Sequence, residues 1–207
     1  MLPDGSEQRN VSNNPADDGY PDWSPDNQLV FASTRDGNRE IYAMRADGSN
    51  VRRLTYYPEE DMHPAWSPDG RKITFASDRN GNREIYVMNA DGSSLARLTS
   101  NTFYDDYPAW SPDGSIIAFA SDRDSHDFSR LEIYLMDADG KNVRRLTNHS
   151  ADDRHPTWAP DGTTLAFVSS RDGNSELYLM DTNGANLIRL TNAPGDDEHP
   201  SWKKVFR

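Results

Sequence analysis

His63-Pro64-Ala65-Trp66-Ser67-Pro68-Asp69-Gly70 decides the fold, because the same octet returns at a nearly fixed interval. Tyr107-Pro108-Ala109-Trp110-Ser111-Pro112-Asp113-Gly114 and His155-Pro156-Thr157-Trp158-Ala159-Pro160-Asp161-Gly162 repeat it. Tyr20-Pro21-Asp22-Trp23-Ser24-Pro25-Asp26 and His199-Pro200-Ser201-Trp202 are shorter copies. Tryptophan occurs only in these five places, at spacings of 43, 44, 48 and 44. Four extra residues within 124–131 account for the long interval. Self-similarity at such a period marks a repeat architecture in which each unit is one supersecondary element.

Working outward from the tryptophan, Ser-Pro-Asp-Gly supplies a type I turn, with Pro at its second position and Gly at its fourth. The segment ending in Trp is therefore one strand (A), and the next (B) runs Leu29 to Ser33, Ile73 to Ser77, Ile116 to Ser121 and Leu165 to Ser169. Asp36-Gly37-Asn38 and its equivalents make a hairpin turn. Strand C follows as Ile41-Tyr42-Ala43-Met44, Ile85-Tyr86-Val87-Met88, Ile133-Tyr134-Leu135-Met136 and Leu177-Tyr178-Leu179-Met180. Both of its alternating faces are apolar, as in a sheet covered on both sides. Asp-Gly at 47–48, 91–92 and 139–140, and Asn183-Gly184, lead into a short polar strand D ending Arg-Leu-Thr. Nothing in the chain has sustained helical periodicity.

Four-stranded units of about 44 residues, stacked face to face, make an all-β β-propeller. One domain spans 1–207, with blade repeats at about 20–55, 63–99, 107–147 and 155–191. Asp4-Gly5-Ser6 through Val11-Ser12 aligns with Asp91-Gly92-Ser93 through Leu98-Thr99, so 1–12 reads as a lone strand D and 199–207 as a lone strand A. The expected architecture is four complete blades plus the unpaired innermost and outermost strands of a fifth. An open edge of that kind predicts self-association through the incomplete blade, or a longer propeller.

The composition narrows the partners. Only 34% of the residues are apolar, which suits several small sheets sharing interfaces better than one large core. The formal charge is −12, from 34 acidic and 22 basic residues, which argues against nucleic acid and anionic membrane as partners. No apolar run reaches the length of a membrane helix, so no membrane insertion is expected. Cysteine is absent, which leaves neither a disulfide framework nor a thiolate site. The start, Met1-Leu2-Pro3-Asp4-Gly5, has no basic or apolar leader region, so no signal peptide is read in it.

Taken together, Trp-Ser-Pro-Asp-Gly, Phe-Ala-Ser-Asp-Arg, Glu-Ile-Tyr-Val-Met-Asn-Ala-Asp-Gly and Arg-Leu-Thr resemble the WD-like propeller repeat of the TolB family. The resemblance covers nearly the whole chain. It implies a non-catalytic propeller that binds a protein or peptide through its channel mouth and loops, in the periplasm or outside the cell. TolB proteins carry six blades and an N-terminal α/β domain, neither of which is read here. Similar propellers in prolyl-oligopeptidase-type peptidases and pectate-degrading lyases imply the alternative of a propeller portion of a larger enzyme.

Site candidates come from the repeats. Asp18, Asp61, Asp105, Asp153 and Asp197 precede strand A in all five copies, and Tyr20, His63, Tyr107, His155 and His199 stand just before its proline. Strand A is innermost in a propeller, so these ten residues are expected at one channel mouth. A carboxylate ring there would bind a basic peptide or a hard cation such as calcium, with Asp61, Asp153 and Asp197 as the candidate metal ligands. In the competing reading, each Asp caps its own turn. Arg35, Arg79, Arg123 and Arg171 are expected to pair across the hairpin with Glu40, Glu84, Glu132 and Glu176. Arg52-Arg53 and Arg144-Arg145 read as solvated edge residues. Asp78-Arg79-Asn80-Gly81-Asn82 fails the EF-hand pattern, and neither Gly-x-Ser-x-Gly nor His-Glu-x-x-His is present.

Overall fold

A computed structural model describes residues 6, 8–125 and 130–202. Sixteen strands form four antiparallel meanders, each in simple sequence order. The first blade is β1 (Asp18–Trp23), β2 (Gln28–Ser33), β3 (Glu40–Arg45) and β4 (Arg52–Arg53). The second is β5 (Asp61–Trp66), β6 (Lys72–Ser77), β7 (Glu84–Asn89) and β8 (Ala96–Arg97). The third is β9 (Asp105–Trp110), β10 (Ile116–Ser121), β11 (Glu132–Asp137) and β12 (Arg144–Arg145). The fourth is β13 (Asp153–Trp158), β14 (Thr164–Ser169), β15 (Glu176–Asp181) and β16 (Ile188–Arg189). No helix of the described residues is long and apolar enough to cross a membrane. Part of the third-blade insertion, 126–129, lies outside the described residues.

Local chemistry sets these elements as the repeat requires. In the second blade the Gly70 amide donates to the Ser67 carbonyl at 2.9 Å, closing the turn, and Ser67 Oγ donates to Asp69 at 2.6 Å. At the C–D turn Gly92 holds φ +89°, and a Cβ there would stand 2.9 Å from the Leu54 carbonyl of the preceding blade. Glycine is required at that point because two blades meet backbone to backbone.

The core lies between the blades. Each strand A packs on the face of the blade before it: β5 on β1, β2 and β3, β9 on β5, β6 and β7, and β13 on β9, β10 and β11. This covers the middle strands of the second and third blades on both faces, which is why Phe75 and Phe119 are fully buried; Phe167 is fully buried in a cluster with Ala120 and Ile133 of the third blade. Each stacks on the tyrosine opposite it in strand C, Phe75 on Tyr86 at 5.9 Å and Phe119 on Tyr134 at 5.8 Å. Among the described strands β13 does not touch β1, so the four blades form an open arc.

Neither 8–12 nor 199–202 is a hydrogen-bonded strand, since a strand needs a neighbour and theirs would be B and C of the same blade. Both nevertheless continue the pattern. The Val11 carbonyl abuts Gly48 as the Leu54 carbonyl abuts Gly92. The Asp197 amide donates to the Ser175 carbonyl at 2.8 Å, as Asp61 does to Arg39 at 2.9 Å and Asp153 to Leu131 at 2.8 Å.

Candidate functional site

Every strand A breaks its ladder at one point. The register shifts between Gly19 and Asp22, between Met62 and Ala65, and between Arg154 and Thr157, and β9 shifts equivalently. The residue in the break is Tyr20, His63, Tyr107 or His155, with φ from 51° to 56°; His199 has φ 56°. Proline follows each of them and removes a ladder N–H, so the bulge loses no donor there. A positive φ at an aromatic residue is rare and costs on the order of 1–3 kcal/mol, and such strain gathers at functional sites.

The four bulges, and the same backbone turn at His199, bring the five rings into one row. Centroids are 4.1 Å apart for Tyr20 and His63, 4.3 Å for His63 and Tyr107, 4.1 Å for Tyr107 and His155, and 4.3 Å for His155 and His199. Tyr20 and His199 at the ends of the row are exposed, and the three between are half-buried.

The carboxylates behind the rings stand elsewhere than in an open ring. Asp61, Asp105 and Asp153 are fully buried, and each accepts from the arginine that follows strand B of its own blade. Arg79 Nη2 lies 2.8 Å from Asp61, Arg123 Nη2 2.8 Å from Asp105, and Arg171 Nη2 2.9 Å from Asp153. Asp18 pairs with Arg35 at 3.0 Å in the same way, and Asp197 is half-buried. Burial pushes the Asp61 carboxyl up, against its bonds to Ser77 and Arg79.

This corrects the expected Arg–Glu hairpin pairs. Arg79 lies over the Phe75 and Tyr86 rings, and its Nε donates to Ser77 Oγ at 2.8 Å, which turns the guanidinium toward strand A. The strand C glutamates are taken by strand D: Glu40 by Arg53, Glu84 by Arg97 and Glu132 by Arg145 at 2.7 Å, and Glu176 by Arg189 at 2.8 Å. Arg53 and Arg145 are thus partners of buried carboxylates, whereas Arg52 and Arg144 reach Gln28 and the Thr182 carbonyl.

One column differs from copy to copy: Gly19, Met62, Asp106, Arg154 and Glu198, immediately before the rings. Asp106 accepts from His63 Nδ1 at 2.6 Å and from Arg83 at 2.7 Å, joining two blades. Burial alone would raise the Asp106 carboxyl; His63 and Arg83 overcome it and hold the group below the usual carboxylate range. Arg154 donates to Glu198 at 2.5 Å and to Ser175 Oγ at 3.1 Å. Burial, reinforced by the Asp106 charge, pushes the Tyr107 phenol up to about 12, so it stays protonated. Burial, then the neighbouring His199, His63 and Arg154 charges, pull His155 down to about 3, so its ring is neutral. Asp106, Arg154 and Glu198 do not belong to the repeated pattern; their variation within a regular array is the signal that sets them apart.

Residues 3–128 and 106–205 match the TolB beta propeller domain. The chain belongs to the TolB β-propeller family. TolB from Acinetobacter baumannii is 29% identical with a TM-score of 0.73, over 86% of this chain and 44% of that one. The protein assigned to TolB in Agrobacterium tumefaciens is 24% identical with a TM-score of 0.72, over 87% and 83%. Oligogalacturonate lyase from Vibrio parahaemolyticus, 16% identical with a TM-score of 0.63 over 86% and 53%, shares the fold. No curated protein matches the chain in sequence. This TolB-family propeller spans less than half of the A. baumannii protein.

Chemically, the ring row of the TolB-family arc offers flat ring faces, imidazole nitrogens and a few nearby carboxylates. Asp17 has 68% of its side chain exposed and Glu60 42%, and both lie within reach of Arg39. Two side-chain nitrogens, Nδ1 of His155 and Nδ1 of His199, approach to 2.8 Å.

Proposed function

We propose that this chain is a non-catalytic binding module whose channel mouth takes a protein or peptide segment bearing Lys or Arg. The observation that carries the reading is the continuous row of five rings, each on a residue of positive φ and four of them on a strand bulge. The buried ion pairs repeat in every blade and serve the scaffold, while the ring row and the column before it are the parts that differ between copies. Aromatic faces favour cations and long aliphatic stems. The exposed Asp17 and Glu60 and a net charge of −12 favour a basic partner and give it a salt-dependent approach. Family membership supports a periplasmic or extracellular location.

Calorimetry with an arginine-rich peptide and its glutamate-substituted counterpart tests this. Heat is expected from the basic peptide alone, weaker in high salt, and reduced at least fivefold in affinity by Tyr107→Ala. Equal heat from both peptides, or from neither, overturns the reading.

A further inference from the structure

Three side chains at one end of the ring row converge independently of any peptide. His155, His199 and Glu198 each present a ligand atom, and these atoms lie within 4.8 Å of one another. His155 Nδ1 and His199 Nδ1 are 2.8 Å apart, so one ring donates a hydrogen bond to the other. We propose that His155, His199 and Glu198 form a site for a borderline divalent transition ion such as Zn2+, held by two imidazole nitrogens and one carboxylate oxygen. The inference uses the proposed mouth only to place the site, and it stands or falls without a peptide.

The required adjustment is small. Zn–N distances of about 2.0–2.1 Å in a tetrahedral site separate two nitrogens by about 3.3–3.4 Å, so the rings need to part by roughly half an ångström. His155 sits on the β13 bulge, and His199, in the equivalent place of the next repeat, holds the same backbone turn at φ 56°. The nitrogen that carried the shared proton becomes a ligand when that ring takes its other tautomer, so binding needs no net proton loss.

Arg154 is the second-layer partner. Its Nη2 donates to Glu198 at 2.5 Å and fixes the carboxylate, while Asp152 at 3.5 Å offsets its charge. The donor set also separates this site from the calcium expectation. Calcium takes six to eight oxygens, whereas two nitrogens and one oxygen suit zinc, nickel or copper. Of the three carboxylates assigned to calcium in the sequence, Asp61 and Asp153 are buried against arginine, and Asp197 is half-buried. Three protein ligands leave one tetrahedral position for water or an incoming donor.

The whole chain titrated with Zn2+ by calorimetry at neutral pH, with no peptide present, tests the site. One ion per chain is expected. His155→Tyr and His199→Tyr, which install the residue the same position carries at 20 and 107, should abolish binding while melting as the parent does. Glu198→Gln should weaken it at least tenfold, and His149→Ala on the outer surface should leave it unchanged. Cobalt bound in place of zinc should give the intense visible bands of a tetrahedral ion. Absence of Zn2+ heat, equal binding of Ca2+, or Zn2+ binding that survives both tyrosine variants overturns the assignment. Failure of the peptide titration alone leaves these readouts untouched.

Discussion

Tyr20, His63, Tyr107, His155 and His199 hold a backbone conformation that their side chains oppose, and each is kept there by its surroundings rather than by local preference. The residue before a proline favours extended backbone, so nothing in the Tyr-Pro or His-Pro pairs announces a positive φ. His155 shows what this placement does to a titratable group. Around it stand His199, His63, Arg154 and Asp106; only Asp106 favours its protonation. An unfolded histidine titrates near 6.5, while this one is held at about 3 in the fold. Between those values the unfolded chain binds a proton that the folded chain refuses, so stability is lost as pH falls from about 6.5 toward 3. The slope approaches on the order of 1 kcal/mol per pH unit below about pH 6. Melting temperatures taken from neutral to mildly acidic pH should fall for the parent and fall less steeply for His155→Tyr. Parallel curves would show that the ring is solvated and titrates freely.

Within an element, the clearest energetic device is the buried glutamate at the start of strand C. Glu84 Oε1 accepts from Arg97 at 2.7 Å and from the Asn101 amide at 2.7 Å, tying the two-residue β8 to β7. Two ladder pairs, Tyr86 with Arg97 and Val87 with Ala96, are a weak hold by themselves. Removing one partner of a buried pair leaves an uncompensated charge, so Arg97→Ala should cost about 3 kcal/mol. Arg52→Ala, which loses a contact with Gln28, should stay within about 0.5 kcal/mol. Urea unfolding of both variants checks this, and equal midpoints would mean that Glu84 finds another donor.

The strands themselves were legible in the sequence because Trp-Ser-Pro-Asp-Gly and Ile-Tyr-x-Met recur with turn residues between them. The pairing of charges was not. Ser77 sits opposite Asp61 on one side and Glu84 on the other, so Arg79 has a carboxylate available in both directions. Strand spacing alone could not choose between them. The stack of Arg79 on Phe75 and Tyr86 makes the choice, and it exists only once the blade is folded.

Across the whole molecule, contacts run from each blade to the next: β1 meets β5, β5 meets β9, β9 meets β13, and among the described strands the series does not close. Such an arc behaves as a one-dimensional array, whose stability is a sum of blade and interface terms. Position along the arc then decides how far a core defect spreads. Phe75 is fully buried between two neighbouring blades, and Phe31 is 3% exposed in the end blade, whose one neighbouring strand among those described is β5 and whose Phe31 cluster is covered by Val11. Either Phe→Ala change should remove about 3–5 kcal/mol locally. In Phe31→Ala that loss should stay with its blade: amides of β2 and β3 should exchange early, while those of β10 and β11 keep the parent's protection. In Phe75→Ala the defect weakens interfaces on both sides, so protection should drop from β2 through β11. Hydrogen exchange read strand by strand separates the two patterns. An equal loss everywhere in both variants would mean that the four blades unfold as one cooperative unit and that the array description fails.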